Sequence, residues 1–157
     1  MKFPWKTYAF FILLAEGVGA LSGWLSREGT KIYSTTITQP PLSPPGFLFP
    51  IVWAVLYALM GIGAARVWLN SSGSLRSRAM LLFILQLAVN FFWSLIFFNL
   101  QAFGFAFWWL ILLWLLIFAM YRAFARVEAL AARLQIPYLL WVAFAGYLTA
   151  GVWFLNR

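Results

Sequence analysis

The sequence contains no cysteine and no histidine. That excludes disulfides, Cys or His metal ligation, thiolate nucleophiles and imidazole acid–base chemistry. It also removes the usual haem axial ligands, leaving only Met and Tyr. Charge is scarce as well, at 9% of residues, where a soluble domain has about a quarter. Acids are scarcest: three, against eleven Lys and Arg, for a formal net charge of +8. In a soluble chain that balance would point to nucleic acid. Here the basic residues sit between apolar segments, with no basic face interleaved with exposed aromatics, so no nucleic-acid partner is expected.

What is present is apolar. Hydrophobic residues make up 65% of the 157 positions, and the mean hydropathy is +0.91. No soluble interior of this size hides so much apolar surface, which leaves lipid as the solvent. A helix needs about 20 apolar residues to cross the hydrocarbon core, so the chain has room for five or six crossings. The apolar runs predict five: Thr7–Leu25, Gly46–Leu69, Ala79–Phe98, Ala102–Tyr121 and Ile136–Leu155. The expectation is a single all-α domain, a bundle of five transmembrane helices. The start, Met1-Lys2-Phe3-Pro4-Trp5-Lys6, is basic like a signal peptide. The apolar run after it is too long for a signal core and ends without a small-x-small site, so it reads as a retained first helix.

A polar, proline-rich connection is expected over Ser26–Pro45, and Asn70-Ser71-Ser72-Gly73-Ser74 reads as a turn. Pro44 and Pro45 suit the approach to a helix start. Alternation of five crossings puts Lys2, Lys6, Arg66, Arg76, Arg78, Arg122, Arg126 and Arg133 on one side, and Arg27, Lys31 and Arg157 on the other. Basic loops stay cytoplasmic. The N-terminus is therefore expected inside, with membrane lipid as partner and a bacterial inner membrane as location. Gly19/Gly23 and Gly61/Ala65 are small-xxx-small pairs, suited to packing within the bundle or to a homodimer face.

Ten tryptophans stand out. Trp5, Trp24, Trp68 and Trp153 lie near span ends, as an interfacial belt requires. Trp53, Trp93 and Trp141 lie inside their spans, where an indole offers a flat face and one N–H donor. They suit either core packing or a pocket for a planar aromatic ligand. Gln86 and Asn90, four apart, share a helix face and serve either interhelical hydrogen bonding or ligand anchoring. Glu16 falls near the middle of the first span. A carboxylate there is expensive, so it is expected to be neutral and hydrogen-bonded to a neighbouring helix, which Gly17, Gly19 and Gly23 would let approach. The same residue also suits a proton-coupled exporter of cationic drugs.

Three stretches carry a resemblance. They are Gln39-Pro40-Pro41-Leu42-Ser43-Pro44-Pro45-Gly46-Phe47-Leu48-Phe49-Pro50-Ile51-Val52-Trp53, Gln86-Leu87-Ala88-Val89-Asn90-Phe91-Phe92-Trp93, and Pro137-Tyr138-Leu139-Leu140-Trp141-Val142-Ala143-Phe144-Ala145. In order and spacing they resemble the TspO/MBR family, the tryptophan-rich sensory proteins related to the mitochondrial translocator or peripheral benzodiazepine receptor. The resemblance implies five transmembrane helices, frequently a homodimer, and a pocket for porphyrins and drug-like aromatics roofed by the first loop. Its ligand positions map onto Trp53, Gln86, Asn90, Trp93, Trp141 and Ala145, and its loop onto Pro40, Leu42, Pro44 and Pro45. Porphyrin is the implied ligand, and no cofactor is required. The family is associated with sensing or transport of tetrapyrroles. The alternative is light- and oxygen-dependent porphyrin degradation, in which Trp53 and Trp141 would be the implicated residues. Leu42 stands where the family loop often has Trp, and Ala150 and Phe154 replace the Tyr and Arg of the animal sterol pattern, so sterol binding is not carried over.

Overall fold

A computed structural model describes residues 2–157; Met1 of the basic start lies outside them. Helix is the only regular structure among the described residues: α1 (Trp5–Leu25), α2 (Arg27–Thr36), α3 (Leu48–Leu69), α4 (Gly73–Ser94), a π-helical turn (Leu95–Asn99), α5 (Phe103–Ala125), α6 (Ala129–Arg133) and α7 (Ile136–Leu155). Five helical stretches among them are long and apolar enough to span a membrane, namely α1, α3, α4 with the π turn, α5, and α6 with α7.

Several boundaries differ from expectation, among them α5, which runs on to Ala125 rather than ending at Tyr121, and three have a visible cause. The first connection is not simply loop, since α2 fills its first half. Its Gly29 sits against the Phe98 carbonyl, and Tyr33 packs on Phe97 and Phe98 at 5.2 and 5.3 Å. That contact buries the one useful face of an otherwise polar helix, and the burial pushes the Tyr33 phenol up to about 12. Second, α4 begins at Gly73 rather than Ala79. Hydropathy marks where lipid begins, whereas the helix begins one turn and more outside it, at a glycine with φ +60° that closes the turn from α3. Third, α3 begins at Leu48, with Pro50 at its third position, where an N–H has no intrahelical acceptor anyway.

The helices form a ring in the order α3–α1–α4–α5–α7. The α1–α3 seam is the tightest. A side-chain carbon at Gly61 would lie 2.5 Å from the Ile12 Cα, and Tyr57 fills the notch left by Gly19. These glycines therefore serve packing inside the bundle. Ser22 Oγ donates to the Phe91 carbonyl at 2.8 Å, tying α1 to α4. The core inside the ring is built from Phe83, Met60, Leu113, Ile117 and Phe124, all fully buried. The ring is least closed between α3 and α7. There a groove of about 460 Å³ faces outward between Ile51, Val52, Val55 and Leu56 on one wall and Pro137, Leu140, Trp141 and Phe144 on the other.

The two ends of the bundle differ. Arg66 makes a two-pronged ion pair with Glu128, joining α3 to the α5–α6 turn, and donates to the Tyr8 hydroxyl at 3.3 Å. This puts the expected basic group at one end. The opposite end carries α2 and the proline-rich loop.

Candidate functional site: a tyrosine–amide hub behind an aromatic seam

Gln86 and Asn90 lie one turn apart on α4, and both are buried. Two phenols meet them. Tyr57 of α3 donates to Asn90 Oδ1 at 2.8 Å. Asn90 Nδ2 donates to the Tyr138 hydroxyl of α7 at 2.6 Å, and that hydroxyl donates to Gln86 Oε1 at 2.7 Å. Gln86 Nε2 closes the chain on the Phe83 carbonyl at 3.0 Å. The bonds run in one direction across three helices, so each polar group is satisfied in an apolar core.

Trp53 borders the hub. Its ring lies 5.5 Å from Tyr57 and meets Tyr138 edge-on at 6.2 Å, across the gap between α3 and α7. Trp141 lies on the α7 wall of the groove, edge-on to Phe49 at 5.8 Å and 5.6 Å from Phe144. Trp53, Gln86 and Asn90 thus come together, with Trp141 beside them on the outer side. Trp93 lies where the main core meets a second cluster around Phe97. It stacks on Phe97 at 4.9 Å, beneath α2, with its indole N–H buried and without an acceptor among the described residues. Ala145 is buried one turn beyond Trp141, and its carbonyl accepts from Thr149 at 2.7 Å.

The proline-rich loop is clipped to the end of α7. Thr38 N–H donates to Asn156 Oδ1 at 3.0 Å, and Asn156 Nδ2 donates back to the Thr38 carbonyl at 2.7 Å. The Tyr147 hydroxyl donates to the Pro41 carbonyl at 2.7 Å. Pro40 is buried against Gly151, where a side-chain carbon would come within 2.6 Å of the proline ring. Pro44 is half-buried and Pro45 exposed. Leu42 is 81% exposed at φ 70°, a left-handed conformation unusual for a leucine. Its side chain points away from the protein and offers the interior nothing.

Glu16 departs from expectation. It is half-buried and makes no hydrogen bond or ion pair among the described residues. The space that Gly19 was expected to open for a partner is taken by the Tyr57 ring, whose hydroxyl is turned to Asn90. Tyr57 and Tyr138 themselves were not singled out in the sequence. The available signal was spacing: Tyr57 is four residues after Trp53, and Tyr138 three before Trp141, each on its tryptophan's helix face.

A family model described as TspO/MBR matches residues 11–154. The chain belongs to the TspO/MBR family. Among its relatives, the tryptophan-rich protein TspO of Chlorobaculum tepidum is 36% identical over 154 residues, 96% of either chain. The translocator protein of Bos taurus is 33% identical over 157 residues, 98% of this chain and 92% of its own. Protein CrtK of Rhodobacter capsulatus is 39% identical over 122 residues, 77% of this chain and 76% of its own. TspO/MBR membership and the apolar helices make the chain an integral membrane protein.

Proposed function

We propose that this TspO/MBR-family protein binds porphyrin-type tetrapyrroles and related planar aromatics, in sensing or transport. The observation that carries the reading is the α3–α7 seam. A groove of about 460 Å³ has Trp141 in its wall, and the Trp53–Tyr138 contact crosses the same gap in front of the amide hub. That volume suits a small-molecule site, and such sites combine apolar walls with a few placed polar groups. Ring faces give the affinity; Asn90 and Gln86 lie buried behind the groove, outside its wall, and reach a ligand only where the Trp53–Tyr138 contact parts. The same reading puts the protein in a bacterial inner membrane with its Arg66–Glu128 end cytoplasmic.

Titration of the purified protein with protoporphyrin in the dark tests it through quenching of tryptophan fluorescence. Saturable quenching is expected. Trp141→Ala is expected to weaken binding by about 1–3 kcal/mol, the scale of one lost stacking face. Unchanged affinity in a folded Trp141→Ala protein rejects the site. Light- and oxygen-dependent breakdown of the bound porphyrin is the second reading. It is favoured by Trp53, which sits beside two buried phenols able to replace an electron drawn from the indole. Illumination of the same sample in air separates the two: bleaching of the porphyrin band that falls in Trp53→Phe supports turnover, and a stable band supports binding alone.

A further inference from the structure

The chain holds three acids, and the fold leaves none of them free at the basic end. Glu28 lies on α2 at the opposite end, 3.8 Å from Lys31. Glu16 is mid-span on α1. Glu128 is at the basic end, but both of its oxygens accept from Arg66. The remaining cations there are Lys2 and Lys6 before and at the start of α1, Arg76 and Arg78 on α4, Arg122 and Arg126 closing α5, and Arg133 closing α6. All are exposed except Arg76, which is half-buried. No ion pair reaches any of them among the described residues. Arg122 and Arg126 are one helical turn apart, a spacing at which like charges repel.

Two of these cations are held at a defined depth. Arg76 lies over the Trp68 ring at 4.0 Å and donates to the Trp68 carbonyl, while Lys6 lies 5.9 Å over Trp5. Both indoles are exposed, at 40% and 61%. Exposed indoles at helix ends sit at headgroup level, so the stacked cations sit at the depth of lipid phosphates. The opposite end offers Arg27, Lys31 and Arg157 against Glu28, and so much less uncompensated charge.

We propose that the basic end is a binding surface for anionic phospholipids, with the Arg122–Arg126–Arg133 segment as its main headgroup contact. Positive charge at a loop sets orientation. It does not by itself require that every local acid be consumed, and here the only acid in reach is taken by Arg66. The missing counter-charge then comes from the leaflet. Polybasic surfaces gain about fivefold in affinity for anionic membranes with each Lys or Arg added.

The test uses the full-length protein in detergent with equimolar phosphatidylglycerol and phosphatidylcholine, and native mass spectrometry counts the lipids retained. Wild type is expected to retain phosphatidylglycerol preferentially. The triple variant Arg122→Gln/Arg126→Gln/Arg133→Gln is expected to lose about fivefold in that preference per arginine, and the corresponding triple Lys variant to keep it. Arg27→Gln/Lys31→Gln/Arg157→Gln is the control at the other end and is expected to leave the preference unchanged. Equal retention of the two lipids by wild type overturns the proposal, as does an equal fall in both Gln triples. Excess inorganic phosphate is expected not to displace the lipid; displacement would mark a free-anion site and overturn the assignment to lipid.

Discussion

The α1–α3 and α3–α7 seams share a helix but differ in how they close. Against α1, helix α3 presents Gly61 and, one turn earlier, Tyr57 seated in the Gly19 notch, and the backbones approach until no side-chain atom fits between Gly61 and Ile12. Against α7 it presents Phe49, Val52, Trp53 and Leu56, whose bulk holds the helices apart and leaves a groove. Gln135 Nε2, at the start of α7, reaches the Leu59 carbonyl in the middle of α3 at 3.2 Å, and below it Arg66 of α3 pairs with Glu128 of the α5–α6 turn rather than with α7. Toward the loop end only ring edges cross the α3–α7 seam. Small residues thus fix one seam, and large aromatics leave the other deformable, which is where the candidate site lies.

The comparison can be broken most severely at the tight seam. Gly61→Val puts branched carbon into the Ile12 backbone, which cannot yield as a side chain can. A loss of about 3 kcal/mol or more is expected, read as failure to purify a monodisperse folded protein or as a collapse of Tm in detergent. If Gly61→Val melts like wild type, the seam is not tight. The ion pair that ties α3 to the α5–α6 turn comes next. Glu128→Gln removes the charge-assisted bonds from Arg66, which contribute about 1–3 kcal/mol where they are protected from water. Both groups are partly exposed, so the lower part of that range is expected. Thermal denaturation with and without 1 M salt checks it: salt is expected to narrow the gap to wild type. The smallest effect belongs to the roof. Asn156→Ala removes both bonds to Thr38, each exposed, for about 1 kcal/mol or less. Global Tm is expected to change little. Proteolysis within residues 37–47 is expected to quicken, and an unchanged cleavage rate would mean that Pro40 on Gly151 and the Tyr147–Pro41 bond suffice to hold the loop.

The spanning helices were legible because lipid imposes one requirement on them, an apolar run of sufficient length, and the sequence displays five. Their ends were less so. Gly73–Arg78 is helical yet polar, and hydropathy cannot report a helix in water. The helix α2 was hidden for a similar reason: its ten residues are mostly polar, and only the packing of Tyr33 and Gly29 on the π turn explains it. At the site, Asn90 and Gln86 were visible as polar residues in an apolar run. Their partners were not, because a tyrosine in a chain of aromatics looks like core until a second helix supplies an acceptor. Glu16 shows the opposite failure. Its glycine neighbours promised a close partner, but the notch was filled from α3 by Tyr57.

The clip between Thr38 and Asn156 spans 118 residues of chain. The ribosome delivers Thr38 before four of the five spans exist and Asn156 only after α7. The loop's other ties, to Tyr147 and to Gly151, also wait for α7. The roof is therefore the last part of the protein to be fastened: a nascent chain that has inserted α1 to α5 already holds its tight α1–α3 seam, yet its proline loop hangs unattached. At that stage the groove lacks its α7 wall and the amide hub lacks Tyr138, so insertion of α7 completes the site and fastens its roof in one step.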